Sequence, residues 1–176
     1  MSHSLSTYDE GLLLARFAHH VFTKLKNLPL VSAAFVEQVA LGGGAELSVA
    51  ACDWRLLRPE AKIGFVHSKM ALSPGWGGAA ALRDLVGPSR ALELICSGRL
   101  VAASEAASIG LATDVIEDFQ AALKWLESRT VASAQVVRAC KEAATAGGQE
   151  ADEHQHAIMW ASPEKIEVLM RRIKHL

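Results

Sequence analysis

The sequence predicts an α/β fold in which a core of alternating strands and helices is followed by a helical C-terminal region. Three observations carry that prediction. Short apolar and β-branched runs at 30–36, 54–57 and 62–65 alternate with helical stretches. Two glycine clusters, Gly42-Gly43-Gly44 and Gly75-Trp76-Gly77-Gly78, stand immediately ahead of helix-forming segments. Beyond Glu117 every periodic segment is helical, which divides the chain into an α/β core over 1–117 and a helical region over 118–176 within one continuous domain.

The elements follow in order. Thr7 and Glu10 have capping-box spacing, and Leu14, Phe17, Val21, Leu25 and Leu28 then recur every three or four residues, predicting an amphipathic helix that ends near Asn27. Pro29 opens a buried strand over Leu30 to Val36, and Val39 to Leu41 leads into the glycine triplet and a helix over Ala45 to Ala51. Trp54 to Leu57 and Lys62 to Phe65 read as two short strands around Pro59. Helices follow over Ala79 to Val86, Ser89 to Ser97 and Ser104 to Ile109, the first and last stopped by Gly87 and Gly110. A strand at Thr113 to Ile116 precedes helices at Phe119 to Arg129, Ser133 to Thr145, Glu150 to Trp160 and Glu164 to Lys174.

Composition excludes several functions. Of 176 residues, 51% are hydrophobic and 21% charged, and 18 basic against 19 acidic residues leave a net charge of -1. That balance offers no electrostatic footprint for nucleic acid or an anionic membrane. Apolar runs are broken by Glu37 and Gln38 or by the glycines at 42–44, so no segment has the length of a membrane-spanning helix. Met1 to Glu10 is polar and acidic rather than basic and apolar, which leads us to expect a cytosolic protein. The unrelated flanks of Cys52, Cys96 and Cys140 suggest neither a disulfide framework nor a metal knuckle, and we expect reduced, buried thiols. His19 with His20 and His154 with His156 are too close in sequence to share a helix face, so no metal is expected there.

The glycine clusters are the places where chemistry is expected. Three glycines before a helix bring backbone N–H groups close to a ligand, and the helix dipole there favours an anion or a developing oxyanion. Glu46 falls in the first turn of that helix, where it serves either as a functional carboxylate or as an ordinary first-turn acid. Gly75 to Ala80 formally fits the dinucleotide pattern G-x-G-x-x-A, but Ala71 to Pro74 makes a poor strand and no acid follows at the required distance. His67 stands between a short strand and the second cluster, where it is either a site residue or a packed core histidine.

Leu28-Pro29-Leu30, Ala40-Leu41-Gly42-Gly43-Gly44-Ala45-Glu46-Leu47, Ala51-Cys52-Asp53-Trp54-Arg55, Pro74-Gly75-Trp76-Gly77-Gly78 and Ser108-Ile109-Gly110-Leu111 together resemble the crotonase (enoyl-CoA hydratase/isomerase) superfamily, in its order and at its spacing. Phe65-Val66-His67 ahead of the second cluster is similar to the branch of ethylmalonyl-CoA decarboxylases. The resemblance implies a spiral of ββα units, here lacking its N-terminal part, and an acyl-CoA thioester as substrate. It places Gly43 N–H, flanked by Gly42 and Gly44, as one oxyanion donor. It implies substrate-binding roles for Gly42, Gly44, Pro74, Gly75 and Trp76, with Trp76 either shaping the acyl pocket or packing the loop against the sheet. Hydratases of the family use two glutamates; Glu46 matches the first and His67 occupies the second position, which disfavours hydration and suits loss of CO2 from a malonyl-type thioester.

In that reaction either His67 or Glu46 lies near the departing carboxylate or supplies the proton. No metal or organic cofactor is implied, CoA being part of the substrate, and the family's habit of assembling as trimers or hexamers through its C-terminal helices implies a homo-oligomer. The Ser/Ala-Gly-x-Asp loop that gives the family its other oxyanion donor has no counterpart in Met1 to Glu10. A hydratase or isomerase, or a truncated form that only binds or oligomerises, therefore stands beside the decarboxylase reading.

Overall fold

The computed structural model describes residues 7–146 and 148–173. They form two compact units, one of residues up to Leu28 together with Ser32–Leu126, the other of Pro29–Val31 with the residues from Glu127 onward.

The first unit opens with α1 (Tyr8–Lys26), capped as its sequence specifies: Thr7 Oγ1 accepts from Glu10 N–H, and Glu10 Oε2 accepts from Thr7 N–H at 3.1 Å. Its sequence stripe Leu14, Phe17 and Val21 is exposed, and the buried residue of the helix is Ala18. Then come β1 (Ala33–Val36), β2 (Val39–Leu41) and α2 (Gly43–Ala50), followed by β3 (Trp54–Leu57), β4 (Lys62–Gly64), a 3-10 turn over Val66–Met70 and α3 (Gly78–Val86). The strand expected from Leu30 begins only at Ala33, and α2 begins at Gly43 rather than Ala45.

These two passes have the same sense. β1 and β3 pair parallel in one sheet, Ala33 opposite Trp54, while β2 and β4 pair parallel in another, Val39 opposite Lys62. Each pass thus lays one strand in each sheet before a helix returns the chain, which is the ββα spiral that the resemblance implies. α4 (Pro88–Ser97), β5 (Val101–Ala102), α5 (Ala103–Ser108), β6 (Asp114–Val115) and the start of α6 (Phe119–Arg129) complete the unit. β6 extends the first sheet in parallel and β5 closes the second antiparallel to β4. The core between sheets and helices holds Leu57, Ile63, Phe65, Leu82, Leu94 and Leu111, all essentially removed from solvent.

The second unit contains α7 (Ala134–Ala146), α8 (Gln149–Trp160) and α9 (Pro163–Ile173); the expected end of the last helix, Lys174, lies outside the described residues. Lys141 Nζ donates to Leu30 O at 2.6 Å, and Ser133 Oγ donates to Glu164 Oε2 at 2.8 Å. An apolar groove of about 1260 Å³ runs along these helices, past Val136, Ala139, Met159, Trp160 and Val168. Among the described residues no helix is long and apolar enough to cross a membrane. Cys52 is buried as expected, but Cys96 and Cys140 are exposed. Their apolar sequence neighbours, such as Leu94 and Ala139, take the inward helix positions and turn the thiols outward.

Candidate active site

The site residues converge in the first unit at the start of α2. Gly42 has φ 50° and ψ -115°, a conformation open to glycine and strained for any residue with a Cβ. Its N–H donates to Gly64 O and its carbonyl accepts from Glu46 N–H, which fixes the turn from β2 into α2. No side chain caps α2, so the N–H groups of its first turn, Gly43 foremost, have no partner within the helix. Gly43 is half-buried and Gly44 exposed.

Glu46 stands one turn into α2 and is 1% exposed. Its carboxylate receives four donors. Trp76 N–H and Gly78 N–H donate to Oε2 at 2.9 and 3.0 Å, Gly75 N–H donates to Oε1 at 3.4 Å, and His67 Nε2 lies 2.9 Å from Oε1. An accepting carboxylate has room for four such contacts, whereas a protonated carboxyl would aim its hydrogen at a donor. Glu46 therefore supplies the N-terminal cap that α3 lacks from Gly77, negative charge meeting the positive end of that helix. Gly78 must be glycine for this, because a Cβ there would fall 2.4 Å from Glu46 Cγ.

His67 sits in the 3-10 turn after β4 and is 7% exposed. With Nε2 turned to Glu46, its Nδ1 is buried and has no hydrogen-bond partner among the described residues. The ring is beside Gly42, whose Cβ, were there one, would lie 3.8 Å from Nε2. Unpartnered buried polar atoms are uncommon in folded proteins, and a catalytic role is one reason for keeping one.

Trp76 covers the same corner. A methyl group on Gly43 would come 2.1 Å from Trp76 Cζ3, so the benzo ring lies in contact with Gly43 Cα. The indole meets Phe22 of α1 edge to face, with centroids 5.9 Å apart. Pro74 is half-buried and Gly75 exposed; Gly75 enters the site through its N–H on Glu46 Oε1, and Pro74, which has no N–H, precedes it in the loop. No strand precedes this loop; the 3-10 turn ends at Ala71 in the left-handed conformation, which removes the dinucleotide pattern from consideration.

The structure thus brings Gly42, Gly43, Glu46, His67, Gly75 and Trp76 together, and it adds two residues that sequence reasoning missed. Gly78 belongs to the second glycine cluster, but nothing in its sequence neighbourhood points to the contact with Glu46. Phe22 carries no signal at all, since its place against Trp76 arises from packing between elements far apart in the chain.

The first unit's parallel ββα passes and the glycine-to-helix corner with its buried acid define a crotonase-type domain, and the chain matches the enoyl-CoA hydratase/isomerase family over residues 12–162. It belongs to that family. Among curated proteins, a rat ethylmalonyl-CoA decarboxylase is 35% identical over 98% of this chain, and a chicken ethylmalonyl-CoA decarboxylase 35% over 97%. The chain spans 62% and 61% of their lengths, about three fifths of the curated relatives it matches. Among solved structures, an enoyl-CoA hydratase from Bacillus anthracis superposes with a TM-score of 0.87 at 27% identity, covering 97% of this chain and 69% of that one. One from Thermoplasma volcanium, at 24% identity with a TM-score of 0.84 over 94% of this chain and 69% of its own, shares the fold.

Proposed function

We propose that the chain is a crotonase-type acyl-CoA lyase that decarboxylates ethylmalonyl-CoA or methylmalonyl-CoA through a thioester enolate. The observation that carries this is the buried His67, bonded to Glu46 through Nε2 and unpartnered at Nδ1, beside the uncapped start of α2. The similarity to the rat and chicken ethylmalonyl-CoA decarboxylases supports the same reaction.

In this mechanism the thioester oxygen accepts a hydrogen bond from Gly43 N–H. The bond from Cα to the carboxylate carbon breaks, CO2 leaves, and the electron pair passes through Cα onto that oxygen, where the N–H and the α2 dipole hold the charge. His67 Nδ1 delivers a proton to Cα, giving the saturated acyl-CoA, and solvent restores the proton to the ring. Glu46, engaged at four points, orients the imidazole and the 75–78 loop. The reaction needs neither a metal nor an organic cofactor, so chelation leaves the rate unchanged.

Hydration is the second reading, supported by the hydratase from Bacillus anthracis. It requires two carboxylates poised on one water. Here position 67 is an imidazole in direct contact with Glu46 at 2.9 Å, leaving no place for a water between those atoms.

The test is CO2 release from ethylmalonyl-CoA beside hydration of an enoyl-CoA, with the wild type and His67→Gln. We expect CO2 release that falls by about two to four orders of magnitude in the variant; unchanged turnover removes His67 from the mechanism, and hydration without CO2 release replaces the lyase reading. The same assay on an N-terminally extended chain separates a catalytic unit from a form that only binds or oligomerises. Light scattering tests the trimer or hexamer that the family resemblance implies.

A further inference from the structure

We propose that Trp76 determines acyl specificity, its ring forming the wall that confines the substituent on the thioester's α-carbon to a short alkyl group. The inference rests on the acyl-CoA reading and extends it to a substrate class: α-alkyl malonyl thioesters of small chain length.

The geometry is restrictive. With the thioester oxygen at Gly43 N–H, the α-carbon is two bonds from that oxygen, so its substituent emerges within a few ångströms of Gly43. That space borders the benzo ring of Trp76, which touches Gly43 Cα closely enough to exclude even a methyl group there. The ring has little freedom to withdraw, because Phe22 meets it edge to face. Its main chain is held separately, by Trp76 N–H on Glu46 Oε2 and by the neighbouring Gly75 and Gly78 N–H groups on the same carboxylate. Removing the indole therefore opens room next to the reacting carbon while leaving the loop anchored.

The experiment measures the dissociation constants of free CoA and of propionyl-, butyryl- and hexanoyl-CoA for the wild type, Trp76→Phe and Trp76→Ala, with circular dichroism as the folding control. Each methylene newly buried strengthens binding by about fourfold, so we expect Trp76→Ala to improve hexanoyl-CoA relative to butyryl-CoA by about tenfold. Trp76→Phe shifts the ratio less and in the same direction, and free CoA binds unchanged. Two results overturn the proposal: an unchanged ratio, which makes the ring a packing element, or an equal gain for all three thioesters, which makes it a screen over the α2 terminus. If Trp76→Ala does not fold, Trp76→Leu takes its place and the ratio must rise in the order Trp, Phe, Leu. A wild type that binds CoA and no thioester more tightly overturns the acyl-CoA reading itself, an outcome distinct from either of the others.

Discussion

Glu46 presents the sharpest contrast between residue type and residue use. An acid in the first turn after a glycine triplet invites a proton-transfer role, yet every acceptor position of this one is taken by N–H groups. Replacing it by glutamine keeps the shape but turns an amide NH2 toward donors. We expect Glu46→Gln to lower stability by about 1–3 kcal/mol, measured as the urea midpoint, because a buried N–H loses its acceptor. An unchanged midpoint would show that the carboxylate is not the anchor described. The closeness of Gly43 to Glu46 was legible in the sequence because the turn from β2 into α2 is local, whereas His67 reaches Glu46 from the 3-10 turn after β4. The rest of the site was not legible: Gly75, Trp76 and Gly78 meet Glu46 across some 30 positions of chain, a closure produced only by stacking one ββα pass on the next.

At the level of elements, local chemistry predicted boundaries well where it alone decides them. The capping box fixes the start of α1, and α6 spans Phe119–Arg129 as its periodicity requires. β5 escaped notice because its two residues are a strand only by pairing with Lys62 and Ile63 of β4. The 3-10 turn over Val66–Met70 escaped for a similar reason, its sequence carrying no helical period. The cap of α1 yields a pH prediction. Hydrogen bonding from the Thr7 hydroxyl, then from the Thr7 N–H, holds the Glu10 carboxyl below its ordinary range. A lowered value in the folded state means that the capping contribution is complete above the ordinary glutamate value of about 4.3 and is lost as pH falls through the folded one. The protection factor for amide exchange at the first turn of α1, taken relative to the intrinsic rate at each pH, should therefore fall on acidification, and in Thr7→Ala it should be low at either pH. An equal loss of protection in both proteins would sink the idea.

Over the whole molecule, charge is nearly balanced: 18 basic and 19 acidic residues with seven histidines place the isoelectric point near 6.7. Solubility in polyethylene glycol should pass through a minimum near that pH and recover on both sides, since net charge keeps copies apart; a monotonic trend would show that a local patch governs association. A second molecule-wide pattern is how segments distant in sequence are gripped. Asp53 Oδ2 accepts from Ser32 N–H, Arg55 Nε donates to Leu111 O, and Glu46 takes three N–H groups of the second glycine loop. In each case a side chain holds main chain; at Ser32 the hydroxyl joins in by donating to the same Asp53 Oδ2, whereas the contacts on Leu111 and on the second glycine loop are made to main chain alone. For the loop at Trp76 this separates two demands that selection usually finds entangled. If Trp76 walls the acyl group as proposed, substitution there changes that wall while the loop stays anchored through its N–H groups on Glu46, so new substrate preferences become reachable through single codon changes.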